Sequence, residues 1–169
     1  MTLIGPTPVP SLADQAAAHG WPFHAVTFPD ATPANEYFNP AIVSWQDRDW
    51  LIVRHRQGVP GTPGRNTLEA WQLKHGQPGR RHLLVIPGSP ANESAEDPRA
   101  FVRGSNLILS FCQFVPGQGF AHQAMTGVSP RLDVEPPVHI VFGGNGASRA
   151  DNTCHQKNWT PFLHDGAIH

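Results

Sequence analysis

Glu96-Asp97-Pro98-Arg99-Ala100-Phe101-Val102-Arg103-Gly104-Ser105-Asn106-Leu107-Ile108-Leu109-Ser110-Phe111-Cys112-Gln113-Phe114 joins a charged cluster directly to a β-hairpin pattern. Pro98 cannot donate to a sheet ladder, so Asp97 and Arg99 on either side of it are expected at the beginning of a strand, with side chains free to enter a cavity. Phe101 and Val102 lead to a turn at Arg103-Gly104-Ser105-Asn106. The apolar run Leu107 to Phe111 then reads as a buried strand. Because adjacent strand residues point to opposite faces, only one of Glu96 and Asp97 is expected to face a pocket.

Outward from this hairpin the chain repeats the same grammar. The 18 prolines and 16 glycines among 169 residues oppose long helices and favour short strands joined by turns, an all-β reading. One short helix is expected from the N-cap Ser11 through Ala18, stopping at Gly20. Trp21 to Phe28 reads as an extended edge or closing segment. Strands follow over Tyr37–Trp45 and Trp50–Arg54, around a polar turn at Gln46 to Asp49. A loop from Gly58 to Asn66 leads to Thr67–Leu73, and a polar stretch separates this from His82–Ile86. Phe120–Val128 and Val138–Phe142 form a later pair. The expected organisation is an extension over 1–35 carrying the helix and a strand, and a second unit over 36–169.

A hydrophobic fraction of 39% is enough for a core, and a net charge of −1 with pI near 6.8 gives no basic excess for nucleic acid. There is no run of eighteen apolar residues and no signal-peptide pattern, so neither a membrane partner nor export is supported, and a cytoplasmic location is expected. Cys112 and Cys154 lack ligand spacing and read as plain thiols. The ten histidines show no metal-binding pattern, and His139 reads as a strand residue. Gly143-Gly144-Asn145-Gly146-Ala147-Ser148 lacks the ending of a phosphate loop and reads as a turn.

Laid over one another, Asn39-Pro40-Ala41-Ile42-Val43, Asp97-Pro98-Arg99-Ala100-Phe101 and Asn158-Trp159-Thr160-Pro161-Phe162 form a repeat. Its leading residues are 58 and then 61 positions apart. A period of that size holds four short strands and predicts a β-propeller: two blades and the start of a third, an incomplete ring. A β-sandwich is the alternative. If the first strand of each blade lines the channel, Asn39, Asp97 and Asn158 converge on one pocket.

Asp97, the one carboxylate at a repeat position, is the candidate catalytic acid, with backbone capping as the alternative role. Arg54, Arg99 and Lys157 could hold an anion, while Arg56 and Arg103 read as surface charges. Asn39 and Asn158 suit sugar hydroxyls. Trp45, Trp50 and Trp159 offer flat faces for a sugar ring, with blade packing favoured for Trp45 and Trp50.

Taken in order, Asn39-Pro40-Ala41, the strand-end Arg54, Glu96-Asp97-Pro98-Arg99 and Lys157-Asn158 resemble glycoside hydrolase family 130 over residues 36–169, of which the chain would be an N-terminal fragment. The family consists of five-bladed β-propellers, mostly inverting mannoside phosphorylases with some mannosidases. The resemblance implies Asp97 as general acid and Asn39 and Arg54 on the sugar of the cleaved subsite. It brings Glu96, Arg99, Asn158 and Trp159 in as substrate-binding residues, and Arg99 and Lys157 as phosphate-binding ones. The family usually carries Lys-Asp where this chain has Lys157-Asn158. The implied partner is an oligosaccharide or glycoside, with no metal, no cofactor and inorganic phosphate as possible co-substrate. The alternatives are a non-catalytic carbohydrate-binding propeller, a propeller-type glycosyltransferase and an inactive fragment.

Overall fold

The computed structural model describes residues 11–20, 25–59, 64–88, 95–114, 121–140, 163–165 and 167–168. Helix α1 spans Leu12–Ala18. Ser11 caps it: the hydroxyl accepts from the Asp14 N–H at 3.2 Å and the Asp14 carboxylate returns the bond to the Ser11 N–H. Between Ala25 and Phe28, the described part of the segment expected to be extended from Trp21, the backbone belongs to no strand.

Eight strands make two sheets of the same design. Strands β1 (Asn35–Trp45), β2 (Arg48–Gln57), β3 (Arg65–Lys74) and β4 (Gln77–Leu84) pair in that order, each antiparallel to the next. Strands β5 (Ala95–Arg103), β6 (Asn106–Phe114), β7 (Ala121–Val128) and β8 (Val138–His139) do the same. A two-stranded hairpin, β9 (Leu163–His164) with β10 (Ala167–Ile168), follows. The all-β expectation holds at the level of two four-stranded antiparallel sheets.

Turn chemistry sets the registers. Trp45 pairs with Arg48 across Gln46 and Asp47, both at φ 55°. Lys74 pairs with Gln77 across His75 and Gly76, at φ 51° and 75°. Two positive φ values in a two-residue loop match the right-handed twist of the strands they join. The β3–β4 turn converts the expected polar spacer before His82 into strand, because Gln77 to Arg81 lie along the sheet edge and need no apolar pattern. At Gly104-Ser105 only the glycine is at positive φ, 61°, the other turn that suits a hairpin.

The sheets face each other across one core. Val43, Trp45, Trp50, Ile52, Leu68 and Leu84 of the first meet Leu107, Leu109, Phe111 and Val128 of the second, all buried. Burying each large side chain is worth about 1.5–3 kcal/mol. Leu51, Val53 and Trp71 on the opposite face of the first sheet are also buried, under Phe28, Tyr37 and Leu73. That second layer explains why Trp50 to Val53 is apolar without alternation. The first strands of the two sheets, β1 and β5, pack against each other. No helix of the described residues is long and apolar enough to cross a membrane.

Candidate functional site

The ends of β1 and β5 carry the same local defect. Opposite β2, three steps along β1 from Phe38 to Ala41 match two steps from Arg54 to Ile52. Opposite β6, three steps along β5 from Glu96 to Arg99 match two from Cys112 to Ser110. Each bulge holds an Asx-Pro pair, Asn39-Pro40 and Asp97-Pro98, in which the proline needs no ladder partner. Asn39 is at φ 50° and Asp97 at φ 51°. Left-handed backbone outside glycine costs about 1–3 kcal/mol and tends to gather at functional sites.

The bulges aim their side chains at each other. Asn39 Nδ2 donates to Asp97 Oδ1, so residues 58 positions apart and on separate sheets meet. Arg54, from β2, completes the cluster. Its Nη1 lies 3.4 Å from Asp97 Oδ1, its Nη2 3.1 Å from Glu96 Oε1 and its Nε 2.9 Å from Asn66 Oδ1. Asn66 Nδ2 in turn donates to Glu96 Oε1 at 3.1 Å. The guanidinium also stands over the Phe38 ring, 5.3 Å from its centroid. Asp97 Oδ2 has no hydrogen-bond partner among the described residues. Side-chain exposures of 19% for Arg54, 9% for Glu96 and 11% for Asp97 put this ion triplet below the surface, where screening is weak.

One expectation changes. Glu96 and Asp97 both reach one guanidinium instead of opposite faces, because the positive φ at Asp97 and the extra residue of the bulge break the two-residue alternation. Trp45 and Trp50, 4% and 3% exposed, belong to the core, the packing role favoured for them over a face for a sugar. Trp45 Nε1 instead donates to the Ser105 carbonyl at 2.8 Å, tying the sheets at the end opposite Asp97.

Arg99 Nη1 donates to the Pro98 carbonyl at 3.0 Å. Arg56 is paired with Glu36, and Arg103 is exposed. His139 lies on β8, exposed, and its Nε2 is 3.0 Å from Gln113 Oε1. Among the described residues no cluster could hold a metal, and Cys112 is buried with its Sγ 3.6 Å from Gln123 Oε1. Lys157, Asn158, Trp159, Cys154 and the Gly143–Ser148 stretch lie outside the described residues.

Asn66 and Phe38 are members of the cluster that the sequence reading missed. The loop expected from Gly58 to Asn66 ends earlier: β3 begins at Arg65 and pairs Leu68 with Arg54, which brings Asn66 to the same face two residues away. The β2–β3 register would have revealed it. A second buried network is also new. On the other face of the first sheet His55 Nδ1 meets Glu69 Oε1 at 2.7 Å, Trp71 Nε1 donates to Glu69 Oε2 at 3.0 Å, and Arg81 Nη2 reaches Glu69 Oε1 at 2.9 Å. Tyr37 stacks on His55 at 4.5 Å and donates to Asp30 Oδ1 at 2.8 Å. Burial, reinforced by that bond to Asp30, pushes the Tyr37 phenol far above its ordinary value.

Two open grooves lie away from Asp97. One of about 520 Å³ runs between the β1–β2 and β5–β6 turns, and another of about 400 Å³ lies beside Phe28 and Tyr37. Comparison of the chain with family models, with curated proteins and with solved structures gave no match.

Proposed function

We propose that this chain is a carbohydrate-active protein, similar to inverting β-mannoside phosphorylases and hydrolases, in which Asp97 protonates the leaving oxygen of a β-mannoside or related glycoside. The observation that carries this reading is the bond from Asn39 to Asp97. Equivalent residues of a 58-residue repeat meeting across two four-stranded sheets is what successive blades around a common axis would produce. The packing of β1 on β5, first strand on first strand, supports the same propeller arrangement.

In the proposed step the bond between the anomeric carbon and the glycosidic oxygen breaks as Asp97 gives its proton to that oxygen. A nucleophile attacks the anomeric carbon from the opposite side. Oδ1 is held by Asn39 and Arg54, which leaves Oδ2 to face the leaving group. A hydrolase of this stereochemistry needs a second carboxylate to activate water. Glu96 is a poor candidate, being 7% exposed and engaged by both Arg54 and Asn66. Phosphate is already an anionic nucleophile and dispenses with that base. With all three Arg54 nitrogens engaged, its cradle would draw on Arg99 and Lys157.

A second reading, a sugar-binding protein without turnover, is favoured by one observation: Asp97 is already a partner of Asn39 and Arg54, a role that needs no reaction. The test uses the full chain against a panel of β-mannosides with and without inorganic phosphate, for the native protein and Asp97→Asn. The substitution keeps an oxygen for Asn39 and Arg54 to bond. The proposal expects release of free sugar or of sugar 1-phosphate with inverted anomeric configuration, and a loss of about 10²–10⁴ in rate for Asp97→Asn. Equal sugar binding by both proteins with no turnover would establish the binding reading instead.

A further inference from the structure

Arg54, Asn66 and Glu96 close a three-membered ring of hydrogen bonds. Arg54 Nε donates to Asn66 Oδ1 at 2.9 Å, Asn66 Nδ2 donates to Glu96 Oε1 at 3.1 Å, and Arg54 Nη2 donates to that same oxygen at 3.1 Å. Asn66 is 6% exposed, so its amide cannot exchange these partners for water without cost. Only a side chain that accepts and donates at this length fits. Aspartate would set a third carboxylate beside Glu96, alanine would leave both neighbours unmatched, and glutamine is one methylene too long.

We infer that Asn66 is a positioning residue for the Asp97 site: by taking Nε and steering Glu96 onto Nη2, it leaves Nη1 as the edge of Arg54 that faces Asp97. An unanchored arginine could pivot to give either carboxylate a two-pronged contact. With Asn66 in place the shorter contact goes to Glu96, at 3.1 Å, and the longer one to Asp97, at 3.4 Å. Glu96 thereby serves as the counter-ion of Arg54, and Asp97 keeps one oxygen for a ligand. The bearing of this on catalysis rests on Asp97 being the acid; the arrangement of the ring does not.

The test needs no substrate. In the full chain, the exchange rate of the Arg54 Nε–H proton is followed by nitrogen-15 NMR in the native protein, in Asn66→Ala and in the swap Asn66→Asp with Glu96→Gln. The swap exchanges amide and carboxylate around the same guanidinium at constant net charge. Exchange should quicken by about tenfold or more in Asn66→Ala, the loss of one hydrogen bond from a charged donor. It should return to within about twofold of native in the swap. An unchanged rate in Asn66→Ala, or a folded swap with an unprotected proton, would overturn the inference. If Asn66→Ala does not fold, the swap alone decides, and a swap that also fails to fold counts against the ring. Because no glycoside is involved, an absence of turnover would bear on the proposed reaction and leave this result readable.

Discussion

Arg54 takes its place in the site from the acceptors around it: Asn66 holds Nε, Glu96 holds Nη2 and Asp97 holds Nη1. Removing the guanidinium strands two poorly exposed carboxylates. Arg54→Met is therefore expected to lower stability by about 3 kcal/mol, read from the urea midpoint. Loss of less than a kilocalorie would mean that the triplet is solvated in practice. On the other face of the sheet, Glu69→Gln replaces a carboxylate that accepts from His55, Arg81 and Trp71. That change should cost about 2–3 kcal/mol in the same measurement, since charged hydrogen bonds are lost where no water replaces them. Asn39 and Asp97 were legible in the sequence because an Asx-Pro pair opening a strand recurs 58 positions on. Asn66 was not legible. Its role depends on the β2–β3 register, and the glycine- and proline-rich loop between those strands conceals where pairing resumes. Nor could the alternation rule foresee that Glu96 and Asp97 share one guanidinium, because a positive φ at Asp97 overrides it.

Hairpin turns are the elements that hold each sheet to its register. Gln46 and Asp47 both occupy left-handed backbone with neither being glycine, whereas His75-Gly76 supplies one glycine for the same task. Asp47→Gly should therefore stabilise the protein by about 0.5–1 kcal/mol, visible as a raised melting temperature. A decrease would show that the Asp47 side chain contributes more than the strain it carries. Trp45 locks the neighbouring sheet through its indole N–H, and Trp45→Phe should lose about 1 kcal/mol for that bond, with more for the volume removed. Strands with a dense apolar code, such as Trp50 to Val53 and Leu107 to Phe111, were readable directly. The start of β4 was not, because Gln77 to Arg81 sit at an edge where the solvent side and the missing outer neighbour relax the pattern. Helix α1 was readable from its two ends, Ser11 as N-cap and the stop at Gly20, while the part of Asp14, which accepts from the Ser11 N–H, came with the structure.

At the scale of the molecule, two sheets of identical strand order share a core and are tied at both ends, by Asn39 to Asp97 and by Trp45 to Ser105. Acid should loosen this arrangement. Burial, with Arg80 nearby, holds the His82 imidazole below its ordinary value of 6.5, and burial together with His139 does the same to His122. A depressed folded value means the unfolded chain takes up protons first, so this stability is complete above pH 6.5 and drains as pH falls below it. The melting temperature should therefore be lower at pH 5.5 than at 7.5, and His122→Gln should flatten part of that slope. An equal slope in the variant would remove His122 from the account. The all-β class and the repeat came from the sequence, through proline and glycine frequency and the spacing of Asx-Pro pairs. The meeting of Asn39 and Asp97 was expected from their equivalent places in the repeat; the bulge and positive φ at each were not, because they depend on how the strands pair. The central claim is that Asp97 donates a proton to a departing sugar oxygen. Its most direct test compares Asp97→Asn with the native protein on a β-mannoside with an alkoxide leaving group and on one with a dinitrophenolate leaving group. General-acid loss predicts a fall of about 10²–10⁴ on the first and little change on the second, which needs no proton. An equal fall on both, or none on either, would contradict it.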